Sequence, residues 1–221
     1  MSAENSGQIK SKLILASGSP RRVQLLEQIG ITPHLIKPVD LDETPEPREI
    51  PRKLAQRLAR QKAQKCVQML ANDANINLNH TEFTYNILAS DTVVGVGRRI
   101  LGKAQSIEQA RDHLALLSGR AHRVFTSVAI IDGISNKLRQ KTVETRVRFK
   151  RLSTQEINNY LASGEWRDKA GSYAIQGFAG TFVINMIGQY SNVVGLPLYE
   201  TTSLLRSVGI DPAHNWPDQT N

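Results

Sequence analysis

Leu13-Ile14-Leu15-Ala16-Ser17-Gly18-Ser19-Pro20-Arg21-Arg22 constrains this chain more than any other stretch. An apolar run, a turn of small residues and Ser19-Pro20 read as strand, tight turn and helix start. Serine is a favoured N-cap, and proline suits the first helical position. Leu25, Leu26 and Ile29 give that helix an apolar face, and Gly30 ends it. A strand over Pro33 to Val39 follows, so the chain opens β–α–β, the beginning of an α/β fold. Arg21 and Arg22 fall in the first helical turn, where the dipole and the free backbone N–H groups are already positive. Each costs roughly 0.3 kcal/mol or more there. An anion bound at the turn removes the conflict, and phosphate is the usual anion at such a site. Two arginines bent into water are the alternative, and the motif by itself does not choose.

With 221 residues the chain can build one substantial core, or two small lobes sharing a sheet. Its single cysteine, Cys66, excludes an internal disulfide and a cysteine-cluster metal site and fits a reducing cytoplasm. No apolar run reaches membrane-spanning length, and Met1 to Lys12 lacks the apolar centre of an export signal. A cytoplasmic protein with no membrane partner is expected. The net charge of +8 suits either a nucleic acid or a small polyphosphate. With aromatic residues at 5% and no basic–aromatic run for base stacking, a nucleic-acid partner is disfavoured.

Residues 1–11 read as a flexible N-terminus, 12–210 as one α/β domain and 211–221 as a loose tail. Asp40 to Pro47 is an acidic, proline-punctuated loop, either solvated or able to hold a hard divalent cation. Pro51 to Leu70 reads as a long helix. At 100° per residue its apolar arc contains Leu54, Leu58, Ala59, Ala63, Cys66 and Leu70, and Lys62 falls near the middle of that arc. A lysine there is costly to bury unpaired, so it snorkels or points into a charged cleft. Residues 71–85 are polar and read as a loop. Ile87 to Val94 is an apolar strand interrupted by Asp91, a candidate metal ligand or general base. After a turn at Gly97-Arg98-Arg99, the return through Ile100 to Lys103 brings Lys103 near the same strand end.

Ser106 and Ser153, each followed three residues later by Gln109 or Glu156, mark capping boxes and two further helices. Ala121 to Asp132 and Lys137 to Lys150 alternate as a hairpin. Within it, His122 reads as a surface or cap residue. Glu165 to Gly180 is too polar and glycine-rich to be core and reads as a ligand-binding loop carrying Asp168, Lys169 and Gln176. Thr181 to Ile187 is a strand. Pro197 opens a last helix that ends at Gly209.

Neither G-x-x-x-x-G-K-[ST] nor G-x-G-x-x-G occurs, and the histidines show no metal-binding spacing. Dispersed cations (Arg21, Arg22, Lys62, Lys103, Lys169) and acids (Glu43, Asp91, Asp168) remain. Together they suit hydrolysis of a phosphoanhydride: cations clamp phosphate oxygens, and carboxylates hold a divalent ion or take a proton from water.

Taken with Ser90-Asp91-Thr92-Val93-Val94, Leu101-Gly102-Lys103, Asp168-Lys169-Ala170-Gly171, Ile175-Gln176-Gly177 and Asn192-Val193-Val194-Gly195-Leu196-Pro197, the opening motif resembles the Maf family of nucleoside triphosphate pyrophosphatases. The likeness runs from about Leu13 to Gly209. It implies an elongated mixed central sheet flanked by helices with a cleft between two lobes, similar to the inosine triphosphate pyrophosphatases. It also implies cleavage of a nucleoside triphosphate to monophosphate and pyrophosphate with Mg²⁺ or Mn²⁺, and a homodimer. Asp91 matches the family's catalytic base. Ser17, Arg22, Lys62, Lys103 and Asp168 match its phosphate-handling positions, and Glu43 with Asp91 its metal positions. Arg21, Thr92 and Gln176 match the branch acting on dTTP and UTP, as against the branch acting on 7-methyl-GTP. Ala104 departs from the family's usual proline. A non-catalytic nucleotide-binding regulator of septum formation is the alternative from a different functional class.

Overall fold

A computed structural model describes residues 10–73 and 83–216. Strands β1 (Lys10–Leu15), β2 (Leu35–Ile36), β3 (Phe83–Val96), β4 (Arg99–Leu101), β5 (Ala121–Ile131), β6 (Leu138–Phe149) and β7 (Val183–Ile187) form one mixed sheet in the order β2-β1-β3-β5-β6-β7, with β4 also on β3. Pairing is parallel for β2/β1 and β1/β3 and antiparallel elsewhere. The helices are α1 (Pro20–Gln28), α2 (Pro51–Ala71), α3 (Ile107–Leu117), α4 (Thr154–Ala162), α5 (Tyr190–Val194) and α6 (Leu198–Arg206).

β3 determines where the site lies. One of its edges pairs with β5 without a break from Ile87 to Gly95. The other edge pairs with β1 as far as Leu88 and with β4 only from Val94. Between those two partners the strand is bare on one side, and Asp91 is at the middle of the gap. Such forks are where open α/β sheets bind ligands.

The central strands are covered on both faces, and their period of two sorts the cores. Ile14, Ile87, Ala89, Ala129 and Ile131 meet Ala59, Ala63, Cys66 and Leu70 of α2 on one face. Leu13, Leu15, Leu88, Val128 and Ile130 meet Leu25 and Leu26 of α1 and Leu204 and Leu205 of α6 on the other. A third core joins α3 and α4 to Val124, Val147, Phe149 and the segment 166–182. The cleft opens between this third core and the β1–α1 end.

Side-chain capping sets the starts of α3 and α4, and a proline stands at the starts of α1 and α2. Ser153 and Glu156 form the full reciprocal box at α4. At α3 only half of the expected box forms: Ser106 Oγ accepts from Gln109 N, while Gln109 Oε1 accepts from Gln105 N. Elsewhere the sequence underestimates order. Lys10 and Ser11, expected to be flexible, are strand residues opposite Phe83 and Thr84, with the Lys12 ammonium over the Phe83 ring at 3.4 Å. Phe83 to Tyr85 belong to β3 and not to a loop; the remaining residues of the N-terminus (1–9) and of that loop (74–82), apart from Asn72 and Asp73, lie outside the described residues. Within the expected tail, Asn215 Nδ2 and Trp216 Nε1 donate to the carbonyls of Gly30 and Ile29; 217–221 again lie outside. α5 went unread because five residues are too few for a helical period. Among the described residues no helix is long and apolar enough to cross a membrane.

Candidate active site

At the β1–α1 turn Ser19 is the N-cap residue of α1 but does not cap it with its side chain. Buried Ser17 is the organising hydroxyl: its Oγ accepts from Arg22 Nη1 at 2.9 Å and from Ser19 N at 3.2 Å. Arg22 does not turn to water. Its Nε donates to the Gly195 carbonyl at 2.9 Å and its Nη2 to Thr92 Oγ1 at 3.4 Å. Thr92 meets Thr126 Oγ1 at 2.9 Å, and Thr126 donates to the Asn192 carbonyl at 2.7 Å. One proton per hydroxyl fixes the direction of this relay, from guanidinium through both threonines to the carbonyl. Burial pushes the Arg22 guanidinium below its usual range, with Asp91 pulling the other way and Arg21 adding to the depression. Arg21 is lowered by burial against the opposing pull of Asp168.

Lys62 resolves the anomaly on the helical wheel. Its side chain is buried, yet its ammonium bridges two carboxylates, Glu43 Oε1 at 2.6 Å and Asp91 Oδ1 at 2.5 Å. Glu43 thus leaves the acidic loop and reaches into the cleft, where its second oxygen accepts from Lys103 Nζ at 2.9 Å. Burial alone would raise the Glu43 carboxyl, but the charge and hydrogen bond of Lys62, followed by those of Lys103, hold it down at about 2. Asp91 differs. Burial on the strand pushes its carboxyl above the ordinary range, more than Lys62 and Arg22 pull it down, and Glu43 adds repulsion. The two acids of one cluster are therefore driven apart in proton affinity, as a general base beside a permanently charged partner requires.

The segment 165–177 closes the other wall. Asp168 adopts φ 55° and Gly171 φ 68°. Gly171 N donates to the carbonyls of Leu101 and Gly102, and Ala170 bridges to Lys103, tying the segment to β4. The expectation that this segment is not core is corrected here: Trp166, Tyr173, Ala174 and Ile175 are buried. Few apolar residues suffice because the backbone is satisfied from below. Ala174 N donates to Tyr160 Oη, and Trp166 Nε1 to the Leu161 carbonyl. Ser172 Oγ meets His113 Nδ1 at 2.8 Å, and Tyr173 Oη meets His122 Nε2 at 2.8 Å. His122 is accordingly no surface residue but a buried support of the loop, and burial pushes its imidazole down to about 4.

Ser17, Arg21, Arg22, Glu43, Lys62, Asp91, Thr92, Lys103, Asp168 and Gln176 all line one cleft of about 1220 Å³. The first turn, the 40–47 loop, α2, β3 and the β4 end bring these groups together as two adjacent hydrogen-bonded networks, Ser17–Arg22–Thr92 and Asp91–Lys62–Glu43–Lys103, with Arg22 acting on the acids of the second through its charge. Arg21, Asp168 and Gln176 face the same space without joining either. Sequence reasoning gave no role to Ser90, Thr126, Asn192 or Gly195. Ser90 Oγ and Arg22 share the Gly195 carbonyl, and Asn192 Nδ2 donates to the Val124 carbonyl and Thr145 Oγ1. No periodicity marks Asn192 or Gly195, because the burial of Asn192 in α5 and the φ of 129° at Gly195 arise only from tertiary packing.

Among the described residues no three His, Cys, Asp or Glu side chains are grouped to hold a metal ion. Two carboxylates facing one cationic position, in a cleft otherwise rich in cationic side chains, fit a Mg²⁺-type ion whose shell would be completed by water and by oxygens of a bound anion.

A family model described as Maf-like protein matches residues 12–208. A dTTP/UTP pyrophosphatase of Chelativorans sp. (strain BNC1) is 54% identical over 95% of this chain and 97% of its own. The dTTP/UTP pyrophosphatase of Rhizobium etli is 55% identical over 95% of this chain and 98% of its own. The Staphylococcus aureus Ham1 protein structure aligns with a TM-score of 0.41 at 14% identity, over 63% of this chain and 72% of that one. With its motifs gathered in one cleft and its whole domain matched, the chain belongs to the Maf-like protein family.

Proposed function

We propose that this protein hydrolyses dTTP and UTP to the monophosphate and pyrophosphate. The observation that carries the reading is the buried Lys62–Asp91 pair, with Glu43, Lys103 and Arg22 around it, in a chain more than half identical to dTTP/UTP pyrophosphatases. In this mechanism Arg22, Lys62 and Lys103 hold the phosphate oxygens, with Ser17 aiming Arg22 and Asp168 at the opposite wall. Asp91 accepts a proton from the attacking water. The new bond forms at the α-phosphorus, the α–β bridge breaks, and pyrophosphate leaves with its charge met by the same cations. The raised proton affinity of Asp91 suits that transfer. A divalent ion on Glu43 and Asp91, when bound, supplies further charge neutralisation and acidifies its water. Arg21 and Gln176 read the pyrimidine edge, since an amide both donates and accepts, and Thr92 acts by fixing Arg22. A homodimer in the cytoplasm belongs to the same proposal and is supported by the family resemblance; light scattering tests the dimer.

The test is a panel of dTTP, UTP, CTP, ATP, GTP and 7-methyl-GTP with Mg²⁺, with products separated by anion exchange. Monophosphate and pyrophosphate from dTTP and UTP are expected, and Asp91→Asn should lower kcat by about 10²- to 10⁴-fold while the protein stays folded. Turnover of 7-methyl-GTP in their place would refute the specificity, and wild-type kcat in Asp91→Asn would refute the base.

A further inference from the structure

Lys62 stands where a divalent cation would have to stand. Its ammonium lies against Glu43 Oε1 and Asp91 Oδ1, and Lys103 takes the remaining oxygen of Glu43. Arg22 adds a further positive charge within electrostatic reach of both acids, with Arg21 beside it. Two carboxylates thus face three cations, Lys62, Lys103 and Arg22. A dication entering the free protein meets occupied oxygens and a net positive field. A triphosphate meets the opposite. Both partners of Lys62 are acids, its stem is held among the apolar residues of α2, and a four-carbon stem lets the ammonium swing without moving the helix.

We propose that Lys62 is a placeholder for the metal. In the free protein it holds Glu43 and Asp91 together in place of a divalent ion. A bound triphosphate draws the ammonium onto its own oxygens, so the carboxylates are released only when a nucleotide is present. A divalent ion is therefore taken up with the nucleotide or after it, never before it. This rests on the pyrophosphatase reading for the identity of the anion, but its central measurement needs no nucleotide.

The probe is Mn²⁺, with its binding followed by electron paramagnetic resonance and water proton relaxation. Wild-type protein alone should bind Mn²⁺ at least about tenfold more weakly than it does with a non-hydrolysable α,β-methylene analogue of dTTP. Lys62→Met alone should bind Mn²⁺ at least about tenfold more tightly than wild type alone, and adding Glu43→Gln should remove that gain. Lys62→Gln is the second variant should Lys62→Met fail to fold by circular dichroism. Mn²⁺ binding to free wild type as tight as in the presence of the analogue would overturn the proposal. So would a folded Lys62 variant that binds Mn²⁺ no better than wild type. If the protein cleaves no triphosphate, the pyrophosphatase reading falls, while the nucleotide-free titrations still decide the role of Lys62 on their own.

Discussion

His122 couples acid to the wall of the cleft. It is buried at 2% exposure between Phe149 and Tyr173, its Nε2 meets Tyr173 Oη, and its Nδ1 has no partner. Burial holds its imidazole at about 4, against an ordinary 6.5. Between those values the unfolded chain binds a proton that the folded protein refuses, so stability falls as pH drops below about 6.5 and has lost the full contribution by about 4. The linkage gives a loss of about 2 kcal/mol at pH 5 and about 3 kcal/mol at pH 4 relative to pH 7.5. His122→Gln keeps an amide able to donate to Tyr173 Oη but cannot titrate. The assay is urea unfolding of both proteins at pH 7.5 and pH 5. Whatever the substitution costs at pH 7.5, the wild type should lose about 2 kcal/mol more than the variant on acidification, roughly 1 M in urea midpoint. Every other titrating group is shared and cancels in the difference. Equal losses in the two proteins, within about 0.5 kcal/mol, would refute the claim that His122 is held neutral by its surroundings.

Three further outcomes follow from the same geometry. Asn192→Ala removes a fully buried donor to Val124 O and Thr145 Oγ1 and should cost about 2–4 kcal/mol in urea unfolding, with a raised KM because the carbonyl that ends the Arg22 relay is on the same residue. Gly171→Ala forces a side chain onto φ 68° with its Cβ 2.9 Å from Val94 Cγ1, and should cost about 2 kcal/mol while lowering kcat/KM through the Lys103–Ala170 bridge. Gln176→Leu should lower the ratio of kcat/KM for UTP over GTP by about tenfold or more, read from initial rates, with little change in thermal stability because the residue is exposed.

What the sequence told of this fold depended on distance along the chain. Helix starts at Pro51, Ser106 and Ser153 are local chemistry and were legible. So was Lys62, because a 3.6-residue period turns sequence spacing into a face, and a cation on an apolar face demands a partner. Asp91 was legible for the parallel reason in a strand. Their meeting was not legible: Glu43 and Asp91 come from a loop and a strand that only the packing of α2 on β3 brings to one ammonium. The family likeness supplied that convergence as an expectation, and physical reasoning from spacing did not. The reading of 165–180 failed because core membership was judged by average polarity. There the interior is made by a few aromatic side chains, by the Tyr160 hydroxyl that takes a backbone N–H and by imidazoles that pair the buried hydroxyls, so a polar, glycine-containing stretch can lie inside. His122 was misjudged with it, since its partner Tyr173 is 51 residues away.

The hydrogen bond from Arg22 to the Gly195 carbonyl spans 173 residues, and the bond from Ser11 to the Val208 carbonyl spans 197. Chains fold from the N-terminus as they are synthesised. A ribosome that has released the chain through β3 and β4 to Lys103 has therefore released every cation and both acids of the Lys62 cluster, while Arg22 has only Ser17 and Thr92 to hold it. Its Nε gains the Gly195 carbonyl only when the α5–α6 turn emerges, within about the last tenth of the domain. A truncated or stalled chain consequently carries a charged opening braced from one side only. The bracing is completed late, when the end of the chain closes onto its beginning.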